Sequence, residues 1–160
     1  MTRSCSRYVL PVEFGKLDTG RAMSEESTTP DLVELQRRGY EAVNRRDFDT
    51  AASIYAPDAV WDMRELGMFE GRAAIRGFLE DWFAAYEAYH IEAEEILDLG
   101  SGVTFAVIVE NARLVGGRGE VRVRQAQIGV WARGVAVRVT NGTNVEKARA
   151  AAERLAEERG

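Results

Sequence analysis

YEAVNRRDFDTAASIYAPDAVWDMRELGMFEGRAA, residues Tyr40–Ala74, carries the order of elements from which the fold is read. Asn44-Arg45-Arg46-Asp47-Phe48-Asp49 is a polar turn closing one helix, and either Asp47 or Asp49 can cap a short helix over Thr50–Tyr55. Pro57-Asp58 then turns the chain into a strand over Ala59–Met63, and a loop through Gly67 leads to Gly71. Upstream, Leu32, Leu35, Gly39, Ala42 and Val43 fall at helical spacing within Pro30–Arg46. Glu34, Arg37, Arg38, Glu41 and Arg45 occupy the other side, so one face of this helix is buried.

Downstream, Ile75, Phe78, Leu79, Trp82 and Tyr86 repeat every three or four residues, which predicts a second amphipathic helix over Arg72–Tyr86, roofing a sheet. Strands are predicted over Tyr89–Leu97, Val103–Leu114, Glu120–Trp131 and Val135–Asn141. They are separated by the turn formers Gly100-Ser101-Gly102, Gly116-Gly117-Arg118-Gly119 and Arg133-Gly134. Short connections between consecutive strands favour an antiparallel meander. Within it, Val103, Phe105, Val107 and Val109 are expected to give one face to a pocket. An Ala-rich helix over Val145–Glu158 closes the chain, with its charges forming a solvated face.

The Asn-Arg-Arg-Asp-Phe-Asp turn, the Ala-Pro-Asp-Ala-Val-Trp strand entry and the Phe-Glu-Gly before the next helix resemble the SnoaL-like and nuclear transport factor 2-like superfamily. That superfamily includes ketosteroid isomerases and polyketide cyclases. The resemblance spans about Leu32–Thr143 and implies an α+β fold: a cone in which a curved antiparallel sheet wraps around N-terminal helices and encloses a pocket. It implies less about reaction, because chemistry belongs to the side chains lining such a pocket.

With 160 residues and 46% hydrophobic content, the chain has room for one domain with a real core. No apolar run reaches the roughly 20 residues that would span a bilayer. The net charge of -5 argues against a nucleic-acid surface, the locally basic Arg118–Arg124 notwithstanding. One cysteine, Cys5, and one histidine, His90, exclude an internal disulfide and a His-rich zinc site. Residues 1–29 read as an N-terminal extension. Met23 and its polar lead would serve as a start, so residues 1–22 are expected to be a start-site artefact or a disordered arm, or else an arm that wraps a partner subunit. Residues 30–144 are then the SnoaL-like domain and 145–160 its C-terminal helix. The expected setting is cytoplasmic, with no membrane partner.

Asp62 and His90 are the candidate base and acid. A carboxylate against apolar surface has its pKa raised, and a histidine titrates near neutrality. In SnoaL-like cyclases and dehydratases a histidine often shares the work with an aspartate. Strand alternation opposes the reading of Asp62: if Trp61 faces in, Asp62 faces out or pairs with Arg64. His90 is equally open to a structural role at the corner between helix and strand. Arg124 either projects into the cone to meet an enolate or pairs with acidic neighbours across the sheet. Asn111 and Asn141, in phase with Val109 and Val139, are candidates to reach the pocket, and Asn141 is the second group that would steady an enolate. Tyr40, Trp61, Met63, Phe78 and Trp82 are expected ligand contacts, as are Phe105 and Val107. Gln125, Gln127 and Trp131 share the opposite parity and are expected to form a homodimer interface.

Overlaying the ketosteroid isomerase pattern puts its oxyanion tyrosine near Gly39, one place from Tyr40, and its base at Met63, one place from Asp62. Its protonated acid falls near Ala126. The Arg-x-Asp arrangement of the superfamily's epoxide hydrolases keeps only the arginine in Arg124-Gln125-Ala126. Two functions follow. The first is a cofactor-independent, metal-free enzyme that isomerises, cyclises or dehydrates a hydrophobic small molecule by proton transfer. The second is a non-catalytic ligand-binding or dimerisation module.

Overall fold

The computed structural model describes residues 30–160, so the expectations for residues 1–29 lie outside the described residues. Helix α1, Leu32–Asn44, starts at Asp31, whose carboxylate accepts the Glu34 N–H at 3.1 Å. It buries Gln36, Gly39, Ala42 and Val43. Gly39 is a close-approach position, since a Cβ there would stand 2.7 Å from Ile54 Cδ1. Asn44 binds the backbone of Ile91 through both its oxygen (2.8 Å) and its nitrogen (2.9 Å), tying the end of α1 to a distant strand. Arg46 adopts φ 58° and donates to the carbonyls of Phe83 and Tyr86 at 2.8 and 2.9 Å. The polar turn that looked like punctuation therefore also clamps two later elements.

Asp47 is the cap of α2, Phe48–Ser53, which begins two residues earlier than expected. Strand β1, Tyr55–Asp62, runs through Pro57-Asp58 instead of starting after it. Its pairing slips between Tyr55 and Val60, an irregularity where proline's missing N–H is tolerated. A single 3₁₀ turn, Arg64–Leu66, then leads into β2, Met68–Glu70, a three-residue edge strand where a loop was expected. Helix α3 covers Arg72–Ala84, ending before Tyr86 because Tyr86 already belongs to β3.

The meander is as expected: β3, Tyr86–Gly100, β4, Val103–Leu114, β5, Val121–Ala132, and β6, Val135–Gly142, pair antiparallel in order. Two of its turns place Ser101-Gly102 and Arg133-Gly134 at φ 57° and 78° and at 54° and 79°, the paired positive φ of the tight hairpin turn that suits twisted strands. Local pattern did not show that β6 runs parallel to β1, giving one six-stranded sheet ordered β2-β1-β6-β5-β4-β3.

Each face of this curved sheet has its own core. On one face α1, α2 and α3 bring Ala42, Ala51, Ile75, Leu79 and Phe83 against Trp61 and Val139. On the other, helix α4, Val145–Arg159, packs Val145, Ala152 and Ala156 over Val103, Phe105, Val107 and Ala126. The valine row of β4 thus faces α4 and not the pocket, which corrects the face assigned to Phe105 and Val107. Long aliphatic and aromatic side chains at period two identify a buried face without saying what buries it. Helix α4 is capped by Asn144, whose Oδ1 accepts the Lys147 N–H at 3.0 Å. Asn144→Ala should cost about 1 kcal/mol in chemical unfolding, and an unchanged midpoint would show that α4 does not depend on its cap.

Candidate functional site

Between α1, α3 and the face of the sheet they cover lies a cavity of about 880 Å³. One wall is aromatic. Phe78, Trp82, Tyr86 and Tyr89 line the cavity in a continuous row from α3 to β3, with successive ring centroids 5.6, 5.6 and 5.0 Å apart, and Phe69 of β2, outside the lining, packs on Phe78 at 4.3 Å. Trp61 joins the row edge-on to Phe78 at 5.6 Å. Aromatic rows of this kind provide broad apolar contact with few internal degrees of freedom.

The opposite wall is built of amides, and their hydrogen bonds have a direction that a single group determines. Trp61 Nε1 can only donate, and it does so to Asn141 Oδ1 at 2.9 Å. Asn141 Oδ1 also accepts from Gln127 Nε2 at 3.2 Å, which leaves Gln127 Oε1 as the acceptor for the Tyr40 hydroxyl at 2.6 Å. Tyr40 has then spent its proton and accepts from Gln36 Nε2 at 2.8 Å. On the other branch, Asn141 Nδ2 donates to Gln125 Oε1 at 3.2 Å. The chain ends at Gln36 Oε1, which is buried without a partner among the described residues.

Two consequences follow from that direction. Tyr40 lines the cavity but its hydroxyl proton is committed to Gln127, so it is not a free donor to an oxyanion. Burial, chiefly, also holds its phenol well above the ordinary tyrosine value. The second concerns Gln36. Gln36→Leu removes one hydrogen bond together with one orphaned carbonyl, so unfolding should shift by no more than about 0.5 kcal/mol. A loss of several times that would mean the carbonyl has a partner.

Glu110 is the group that the sequence reading missed. Strand pairing puts it level with Ile91 and Val123, and all three line the cavity. Burial raises its pKa above the ordinary carboxylate value, while Tyr89 and Gln125 beside it partly oppose that by favouring the charged form. Burial likewise pushes the Tyr89 phenol up, with Glu110 adding to the effect. A carboxyl of raised pKa, facing an aromatic wall and flanked by a phenol and an amide, has the character of a general acid or base.

The residues expected at the site divide cleanly by face. Tyr40, Trp61, Met63, Phe78, Trp82 and Asn141 line the cavity. Asp62 does not: its Oδ1 accepts the Arg64 N–H at 3.0 Å and its Oδ2 pairs with Arg138 at 3.3 Å on the other face. Alternation decides this, since Trp61 takes the inward position. His90 is exposed and pairs in register with Asn111 and then Arg122 on that same outer face, so Asn111 is also outside the lining. Arg124 is exposed too and binds Glu94 at 2.9 Å, the cross-strand pairing that was its alternative.

The expectation that Gln125, Gln127 and Trp131 form a subunit interface is corrected as well. That row faces the cavity, and Trp131 is 5% exposed with its indole N–H on Thr104 Oγ1 at 2.9 Å. The signal was in the sequence: three polar amide or indole side chains alternating on one strand, in phase with Glu110 across the pair, mark the polar wall. Gly129 sits in that row because a Cβ would stand 2.6 Å from Thr104 Oγ1 and 2.8 Å from Trp131 Nε1. Gly129→Ala should cost about 2 kcal/mol through forced displacement of the indole, and unchanged tryptophan emission would show that no displacement occurs.

Among the described residues there is no cluster of three or more metal-ligating side chains, and no helix is long and apolar enough to cross a membrane. No curated protein matches the chain. Solved structures do. The protein TerC, co-crystallised with polyporic acid, is 16% identical with a TM-score of 0.62, covering 76% of this chain and 97% of its own. A protein of ketosteroid isomerase-like fold from Catenulispora acidiphila, in complex with trimethylamine, is 16% identical with a TM-score of 0.64, covering 72% and 86%. A candidate polyketide cyclase from Xanthomonas campestris pv. campestris is 23% identical with a TM-score of 0.59, covering 73% and 93%. At these identities the likeness is one of fold. The model of the SnoaL-like domain matches residues 37–151, from within α1 to within α4 and so over most of the cavity lining, and by that match the chain belongs to the SnoaL-like family.

Proposed function

We propose that this protein binds a hydrophobic small molecule in its cone cavity and moves a proton on it, as a cofactor-independent isomerase, cyclase or dehydratase. The observation that carries the reading is Glu110, a carboxyl of raised pKa lining an otherwise aromatic and amide-walled cavity. Glu110 takes the place that the sequence reading gave to Asp62 and His90. As base it would abstract a proton α to a carbonyl; returning that proton to a second carbon would complete an isomerisation, and returning it to a β-hydroxyl as its C–O bond breaks would release water and complete a dehydration. The amide of Gln125 beside it is the neighbouring donor for developing charge.

The test is deuterium incorporation from D₂O into a panel of hydrophobic enolisable ketones, followed by NMR. Exchange above the buffer rate that is lost in Glu110→Gln supports the reading. Buffer-rate exchange for every ketone that demonstrably binds would replace it with the non-catalytic ligand-binding module. That alternative draws on one observation of its own: the amide wall satisfies itself, with Asn141, Gln127 and Tyr40 bonded to one another.

A further inference from the structure

The cavity does not end at the cone. Past Gly142 its lining continues over Thr143 and Asn144 onto α4, where Lys147, Ala151 and Arg154 follow one another at four and three residues and so form one stripe along the helix. At the same end Arg64 lines the mouth. Its backbone N–H is held by Asp62 Oδ1 at 3.0 Å and its Nε donates to the Asn141 carbonyl at 3.2 Å, so the guanidinium is anchored on one side, its terminal nitrogens uncommitted among the described residues.

Among the described residues Arg64, Lys147 and Arg154 have no carboxylate within ion-pair distance, which Arg76, Arg113, Arg124 and Arg138 do; Arg122 and Arg133 share that lack, but only the first three of these line the cavity. Glu65 is the one acidic residue at this end of the lining. Within the lining of this extension the cations Arg64, Lys147 and Arg154 outnumber the carboxylate of Glu65, a local positive excess on a chain of net charge -5, although Glu146 and Glu153 flank the stripe on α4 outside the lining. The N-terminus of the 15-residue helix α4 adds to it with the same sign.

We infer that the extension between Arg64 and the Lys147–Arg154 stripe is a subsite for a terminal oxyanion, a carboxylate or a phosphate ester, on an elongated ligand whose apolar body lies in the cone. This rests on the reading of the cone as a hydrophobic ligand site and adds the class of molecule it selects. Arg64 supplies a fixed fork, and Lys147 a mobile point charge. The apolar wall alone would accept neutral and anionic ligands of equal length equally well. The cations make the anion the preferred form.

The experiment is displacement of N-phenyl-1-naphthylamine, a neutral fluorescent probe, by decanol, decanoate and decyl phosphate. Decanoate or decyl phosphate should compete about three- to tenfold better than decanol at low salt, and the advantage should shrink by 0.3 M NaCl. Which of the two anions gains more identifies the oxyanion as carboxylate or phosphate ester. Lys147→Met/Arg154→Met, on an exposed helix face, should remove most of the advantage and leave decanol unchanged. Arg64→Gln, checked separately for its thermal midpoint, should do the same. Equal competition by all three ligands in the wild type, or an advantage that survives both variants, overturns the subsite while leaving the cone reading intact. Failure of the neutral probe to bind, with no displacement by any of the three, overturns both.

Discussion

Glu110→Gln should lower turnover on any enolisable substrate about 10³-fold while changing ligand affinity less than about tenfold. The substitution keeps shape and one oxygen but removes the basic electron pair. Binding comes mainly from the aromatic wall, so KM should move little. Activity of the wild type should rise as Glu110 loses its proton, with a midpoint above the ordinary glutamate value of 4.5 because burial disfavours the charge.

Stability should run the other way. A carboxyl whose folded pKa is raised stabilises the fold below its unfolded value, and that contribution is lost as pH climbs through the folded pKa. Glu110→Gln, which cannot ionise, should therefore unfold at a higher temperature than the wild type near pH 7 and lose that advantage near pH 4. Asp62→Asn and His90→Gln, both on the outer face, should retain turnover. Full activity in Glu110→Gln, or its loss in His90→Gln, would return the chemistry to residues outside the cavity.

Asn141→Leu is expected to be the most damaging single change to the fold, at about 3–5 kcal/mol, a large part of the roughly 5–15 kcal/mol that holds such a domain. Asn141 is 4% exposed and joins three side chains, accepting from Trp61 and Gln127 and donating to Gln125. Leucine leaves two buried N–H groups without an acceptor and one carbonyl without a donor. Trp61→Phe should cost less in hydrogen bonding, because Asn141 Oδ1 keeps Gln127. It should nevertheless release the direction of the chain, since the indole is its only obligate donor. A double-mutant cycle between Trp61 and Asn141 should give a coupling of about 1 kcal/mol or more. Additive effects would mean that the bond contributes nothing to stability.

The sequence by itself determined the elements and the family resemblance. Periodicity in Leu32–Val43 and Ile75–Trp82 found α1 and α3, turn chemistry at Ser101-Gly102 and Arg133-Gly134 found the hairpins, and the Tyr40–Ala74 run carried the likeness that the family match bears out. These features are local, and side chains within a turn or a hairpin specify them. Parity was equally legible: Asp62 opposite Trp61, Asn111 in phase with Val109, Gln125 with Gln127. Only the tertiary structure decided which parity faces the cavity. The period of a strand divides its residues into two sets, and both sets here are covered, one by α1 to α3 and the other by α4. A chain read in one dimension shows that Val103, Phe105 and Val107 are buried but not that a helix some forty residues later buries them. For that reason Glu110 passed unseen beside Asn111, and the amide wall was taken for a contact between subunits. The parallel pairing of β1 with β6, which brings Trp61 to Asn141 across 80 residues of sequence, lies equally beyond local pattern.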